Sequence, residues 1–152
     1  MRRRTSPPSS EESTDPMAPS HRVTKLIDFC YGHRLLNYDG KCRHLHGHNG
    51  RLEVDLESRT LDRLGMVVDF GVVRDVIRTF VDDNLDHRML LCRADPIVKV
   101  LESLGEPVFL MDDNPTAENI ARLVYRQGAS AGLPIVEIRL WESPSSCATY
   151  RE

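Results

Sequence analysis

Seven consecutive residues, Arg51-Leu52-Glu53-Val54-Asp55-Leu56-Glu57, alternate polar and apolar without a fault. A period of two belongs to a strand with one face in a core and the other in water, because a helix would scatter the same residues around its circumference. The parity continues backwards into His46-Gly47-His48, whose histidines stand at even positions like Leu52, Val54 and Leu56. If the strand extends that far, both imidazoles project from its core face, as two ligands of one ion must. Gly47 leaves the backbone clear between them.

Val23 to Phe29 is rich in β-branched and aromatic residues and reads as the preceding strand. A turn around Asp62 to Gly65 follows the alternating run. Asp69 then caps a helix carrying Phe70, Val73, Ile77, Phe80 and Val81 at helical spacing. Asp95-Pro96 opens a short helix that stops at Gly105, and Val108 to Met111 reads as a short strand. A longer helix starts near Asn114-Pro115-Thr116, carries Ile120, Leu123 and Val124 on one face, and ends at Gly128. Pro134 to Glu142 alternates again, and Cys147 to Arg151 is a short last strand. There are no repeats and no βαβ alternation. The expected plan is α+β: a four-stranded antiparallel sheet with two main helices on one face, order ββααββ, and an excursion from Arg88 to Asn114 between the helices.

A length of 152 residues fits one domain, placed at residues 22–152. Residues 1–21, with Arg2, Arg3 and Arg4 followed by a Ser/Pro/Thr/Glu-rich stretch, have almost nothing to bury and are expected to be a disordered tail in which Met17 is a second candidate start. The balance of 23 acidic and 20 basic residues, net −3, argues against a general nucleic-acid binder. No apolar run approaches the roughly 18 residues of a membrane span, and no secretory signal is visible. Cys30, Cys42, Cys92 and Cys147 form no CxxC pair and no disulfide framework, which points to a reduced, cytoplasmic setting.

Four of the six histidines lie between His33 and His48. His33 ends the first strand, and a hairpin brings it beside His46 and His48. Three neutral imidazoles with an open fourth position are the pattern of a catalytic zinc site. His44, at the same parity, is a rival ligand. Cys42 precedes His46 in a polar Lys-Cys-Arg-His context, where a thiol near a divalent cation can act as base or nucleophile. The other three cysteines are expected to be buried and inert. Six basic residues against two acidic ones between Arg22 and Arg51 make this region locally cationic, which suits an anionic ligand. Asp86-His87 can complete a Cys-His-Asp relay, but adjacent residues diverge in regular structure, so the relay needs irregular backbone or a neighbouring subunit; a plain helix end is the alternative. Glu142 extends the apolar row Val136, Ile138, Leu140 with a carboxylate that needs a partner, either a heterocycle with N–H donors or an internal arginine. Thr116 and Glu118 offer polar contacts nearby, with helix capping the competing role for Thr116.

His33-Arg34-Leu35, Cys42-Arg43-His44-Leu45-His46-Gly47-His48, Gly65-Met66-Val67-Val68-Asp69-Phe70, Leu85-Asp86-His87, Asn114-Pro115-Thr116-Ala117-Glu118-Asn119 and Glu142-Ser143 occur in that order. Over about residues 22–152 the chain resembles the 6-pyruvoyl-tetrahydropterin synthase and 6-carboxytetrahydropterin synthase family, and the cysteine just before His-Gly-His resembles the carboxytetrahydropterin branch, which serves queuosine and other deazapurines. The resemblance implies the tunnelling fold (T-fold), a homo-oligomer with active sites between subunits, and zinc on His33, His46 and His48. It implies Cys42 as the proton-transferring base assisted by Asp86 and His87. It places the pterin of 7,8-dihydroneopterin triphosphate on Glu142, with Thr116 and Glu118 nearby. The implied products are 6-carboxytetrahydropterin, acetaldehyde and triphosphate, with the pyruvoyl product as the sister reaction.

Three positions depart from the family pattern. Tyr31 and Gly32 stand where two alanines are usual, Glu142 is followed by Ser143 rather than threonine, and the excursion from Arg88 to Asn114 is longer than in compact members. Two other readings compete: a zinc-stabilised binding protein without turnover, and a metal-free cysteine hydrolase using Cys42 and His87.

Overall fold

A computed structural model describes residues 18–152. The tail expected over residues 1–21 lies mostly outside the described residues, and His21 already begins the first strand. β1 (His21–His33) and β2 (His46–Ser58) form an antiparallel hairpin in unbroken register, from His21 opposite Ser58 to His33 opposite His46. The alternating run is thus the middle of a strand that does reach back through both histidines. β2 pairs in turn with β5 (Ile135–Ser143), and β5 with β6 (Ser146–Tyr150), both antiparallel.

The other side of the sheet departs from the expected plan. Arg88–Cys92 forms β3, parallel to the end of β1, and Val108–Met111 forms β4, parallel to β3. Among the described residues the sheet therefore has six strands in the order β4-β3-β1-β2-β5-β6 and is mixed, where four antiparallel strands were expected. The excursion between the main helices is itself a compact βαβ unit. Val108–Met111 is the short strand expected there, whereas Arg88–Cys92 shows no alternation to reveal it, as is usual for parallel strands.

Among the described residues the helical layer comprises three helices. The first, α1, spans 70–84: Phe70–Val73 runs through a π turn at Arg74–Arg78 into Thr79–Asn84. Asp69 caps it as expected, its carboxylate accepting the Gly71 N–H at 2.6 Å. The second, α2, spans Ile97–Ser103, and the Asp95 carboxylate accepts the Ile97 N–H at its start. The third, α3 (Ala117–Ser130), runs past Gly128. That glycine is a packing residue: a Cβ there would lie 3.0 Å from Ile77 Cδ1 and 3.1 Å from Ile135 Cδ1. The helix stops instead before Gly132, whose φ of +83° is the left-handed turn that glycine permits.

Odd residues of β1 (Ile27, Phe29) and even residues of β2 and β5 (Leu52, Val54, Leu56, Ile138, Leu140) bury against Val73, Ile77 and Val81 of α1 and Ile120 and Val124 of α3. Each such side chain contributes about 1.5–3 kcal/mol of transfer free energy. The opposite face of the hairpin is polar: Asp55, 1% exposed, accepts from Thr24 Oγ1 and from Arg139 at 3.2 Å, and Arg139 also pairs with Glu53 at 2.7 Å. The core row of β1 continues Ile27, Phe29, Tyr31, His33, so the candidate site is built on the end of the core itself.

Candidate active site

The hairpin register places His33 directly opposite His46 and Tyr31 opposite His48. Gly47 suits this close pairing, since a Cβ would approach the Tyr31 carbonyl oxygen to 3.0 Å. One nitrogen of each of His33, His46 and His48 falls within 4.8 Å of the others. His33 Nδ1–H donates to the Pro115 carbonyl at 2.7 Å and His46 Nδ1–H to the His44 carbonyl at 2.8 Å. With both Nδ1 atoms used as donors, the Nε2 lone pairs of these two rings face each other at 3.0 Å. Two lone pairs that close repel unless a cation lies between them, so the donor set fits a metal ion. Ligand nitrogens around a tetrahedral ion with bonds of ~2.0–2.1 Å stand roughly 3.4 Å apart, which a small ring rotation achieves. Burial holds the His33 imidazole below its ordinary pKa, against the Pro115 hydrogen bond, and so favours the neutral, ligating form.

His44 is no member of this cluster. It precedes β2, its ring accepts from Arg43 Nε at 3.2 Å, and its carbonyl serves to orient His46.

Glu142, near the end of β5, turns its Oε1 towards the imidazoles, 3.8 Å from His33 Nε2 and 3.9 Å from His48 Nε2. Among the described residues no arginine partners that oxygen; the Tyr31 hydroxyl donates to it at 2.7 Å. Cys42 sits on a single 3-10 turn, Lys41–Arg43, and lines a cavity of about 340 Å³ with His33, Thr116, Glu118 and Glu142. The loop bearing it is closed by Leu35 N–H donating to the Cys42 carbonyl at 2.8 Å. Asn114 clamps the same loop, accepting the Leu36 N–H at 2.7 Å and donating to the Leu36 carbonyl at 3.0 Å. Arg34 is anchored on the buried Asp95 at the start of α2, with Nε 2.7 Å from the carboxylate. The excursion therefore braces the Cys42 loop. The Thr116 hydroxyl accepts the Asn119 N–H at 3.3 Å, which is the capping role.

Asp86 and His87 do point at each other. His87 adopts φ +55°, an irregular backbone that lets its Nδ1–H donate to Asp86 Oδ2 at 2.9 Å. Asp86 Oδ1 accepts the Cys30 N–H at 2.8 Å. Burial works against ionisation of Asp86, but the Cys30 N–H and the His87 ring outweigh it and hold the carboxyl below its usual range. His87 lines a second cavity of about 600 Å³, together with His46 and His48. Cys42 and His87 thus face different cavities of one protomer, and no hydrogen bond joins them among the described residues.

About half of the local excess of positive charge is offset by partners outside the segment, Arg22 pairing with Glu57 at 3.0 Å and Arg34 with Asp95, while Arg51 pairs with Asp28 inside it at 2.7 Å. All four cysteines are free, and contrary to expectation Cys30 and Cys92 are only partly buried and Cys147 is exposed. No described helix is long and apolar enough to cross a membrane. Sequence reasoning named Asp95, Asn114 and Pro115 at helix starts and Tyr31 as a departure, but missed their supporting contacts at the site. Only Tyr31 left a readable signal, since it shares odd parity with His33 on β1.

Comparison with known proteins adds independent support. A protein of Rickettsia bellii called 6-carboxy-5,6,7,8-tetrahydropterin synthase is 36% identical over 131 residues, covering 82% of this chain and 95% of its own. A protein of the same name from Haemophilus influenzae is 32% identical over 139 residues, covering 86% and 99%. The crystal structure of an uncharacterized protein from Wolinella succinogenes superposes with a TM-score of 0.75 at 28% identity, covering 88% of this chain and 99% of that one. The family model described as 6-pyruvoyl tetrahydropterin synthase matches residues 22–152. On these matches, and on a hairpin that gathers three histidines at the end of its core, the chain belongs to the 6-pyruvoyl tetrahydropterin synthase family.

Proposed function

We propose that the protein is a zinc-dependent lyase that converts 7,8-dihydroneopterin triphosphate to 6-carboxy-5,6,7,8-tetrahydropterin, acetaldehyde and triphosphate, a step of queuosine and deazapurine biosynthesis in the cytoplasm. The observation that carries this reading is the facing pair of Nε2 lone pairs on His33 and His46, with His48 alongside and Cys42 in an adjoining cavity. The relatives' shared name favours the carboxy product over the pyruvoyl one.

In this reading His33, His46 and His48 hold the ion, whose bound form supplies Lewis acidity to the oxygens of the substrate side chain. Glu142 accepts N–H bonds from the pterin through Oε2, since Oε1 is taken by Tyr31, and Thr116 and Glu118 line the same cavity. Cys42 takes and returns protons at the side-chain carbons. Asp86 fixes the tautomer of His87, leaving Nε2 free to exchange a proton. Because His87 and Cys42 face different cavities in one protomer, the relay joins them across a subunit boundary of a homo-oligomer, and His87, with a side chain 78% exposed, is free to cross it.

The test is to incubate zinc-loaded protein with 7,8-dihydroneopterin triphosphate, identify the products by mass spectrometry, and run Cys42→Ala beside it. Carboxytetrahydropterin with acetaldehyde, absent from the variant, is expected. A pyruvoyl product would move the chain to the sister reaction, and no turnover by zinc-replete protein would overturn the enzymatic reading.

A further inference from the structure

We propose that Tyr31 is a positioning residue that restrains Glu142 from becoming a fourth metal ligand, so that the carboxylate stays available to substrate. The inference rests on the reading of His33, His46 and His48 as a metal site. Glu142 Oε1 lies 3.8 and 3.9 Å from two of the three ligating nitrogens. Ligand atoms around a tetrahedral ion stand roughly 3.4 Å apart, so this oxygen is about half an ångström beyond coordinating spacing from those two rings, while it stays outside the 4.8 Å cluster that they form with His46. A carboxylate at that spacing reaches a divalent cation by a short swing, and a hydrogen bond that fixes its oxygen on a rigid donor opposes that swing.

The Tyr31 hydroxyl does so, donating to Oε1 at 2.7 Å. Tyr31 is 4% exposed, so its hydroxyl has no ready alternative in water. The ring is fixed on every side. It stacks on Phe29 at 5.1 Å and 18°, meets His33 edge-on at 5.3 Å, and lies opposite His48 across the hairpin. Gly50 supplies its space, because a Cβ there would come within 2.9 Å of Tyr31 Cε1. Tyr31 stands where an alanine is usual by resemblance, so this restraint is a property of the chain's own sequence. It leaves Oε2 unclaimed and the fourth position on the ion open.

The experiment measures zinc affinity by chelator competition for wild type, Tyr31→Phe, Glu142→Gln and the double variant. Tyr31→Phe keeps the ring and removes only the donor. It is expected to bind zinc about tenfold more tightly, opposite in sign to the usual ~10–100-fold loss when an outer partner of a metal ligand is removed. In the Glu142→Gln background the same change is expected to alter affinity less than about twofold, isolating the coupling between the two residues. Unchanged or weaker binding by Tyr31→Phe would overturn the proposal, as would equal tightening in both backgrounds. Should Tyr31→Phe fail to fold, the zinc-edge X-ray absorption spectrum of Glu142→Gln decides: identity with wild type supports the proposal, and loss of an oxygen ligand overturns it. A wild type that binds no zinc refutes the metal reading before any variant is made, and the proposal falls with it.

Discussion

Replacing Asp95 by asparagine tests how the excursion supports the Cys42 loop. The carboxylate is fully buried, accepts from Arg34 Nε at 2.7 Å and from a second Arg34 nitrogen, and caps α2 through the Ile97 N–H at 2.9 Å. Asparagine keeps the shape but turns an NH₂ group on the guanidinium and removes the charge. Breaking a buried pair costs about 3–5 kcal/mol, and the 23% exposure of the Arg34 side chain lets water recover part of it. A loss of about 3 kcal/mol is therefore expected, or a Tm lower by about 6–12 °C for a chain of this size. The pairing also carries a pH signature. Arg34 holds the Asp95 carboxyl below its usual pKa, burial notwithstanding. Its contribution is thus fully present above the unfolded value of about 3.9 and is lost as pH falls through the lower folded value. Urea titrations followed by circular dichroism at fixed protein concentration, from pH 7 down to pH 3, should show wild type losing stability more steeply in acid than Asp95→Asn. A variant within about 0.5 kcal/mol of wild type at pH 7, or one with the same acid slope, would refute the reasoning, since surface changes of no consequence fall in that range.

Other expectations follow from single contacts. Leu140→Ala empties a fully buried position between the sheet and the helices and should cost about 2–5 kcal/mol in the same urea assay. Gly50→Ala drives a methyl against Tyr31 and Phe29 and should cost about 1–3 kcal/mol in the same urea assay. Asn114→Ala removes both bonds to Leu36, and should lower turnover while leaving zinc content at one per protomer by elemental analysis. His46→Ala, at a partly exposed position, should abolish zinc binding yet keep the wild-type circular dichroism spectrum.

The hairpin and the histidine cluster were legible because both follow from parity. Even positions of β2 hold the core residues and two of the histidines, and His33 falls opposite His46 once the strands pair. Asp69 and Thr116 were equally legible as caps, since N-cap chemistry is local. Arg88–Cys92 was not, because a parallel strand buried on both faces leaves no alternation, and its partner β4 is four residues long. The charge balance was only partly legible for a related reason. Asp95 and Glu57, which neutralise Arg34 and Arg22, lie outside the segment counted, and only the folded topology brings them in. The bond from Tyr31 to Glu142 spans 111 positions and depends on strand order across three strands, which no local pattern encodes.

The central claim is that three imidazoles hold a cation on which turnover depends. Metal-free protein should be titrated with zinc while triphosphate release from 7,8-dihydroneopterin triphosphate is followed. Turnover rising linearly and ending at one zinc per protomer, and absent in His46→Ala at every zinc level, is the predicted result. Full turnover by metal-free wild type would contradict it.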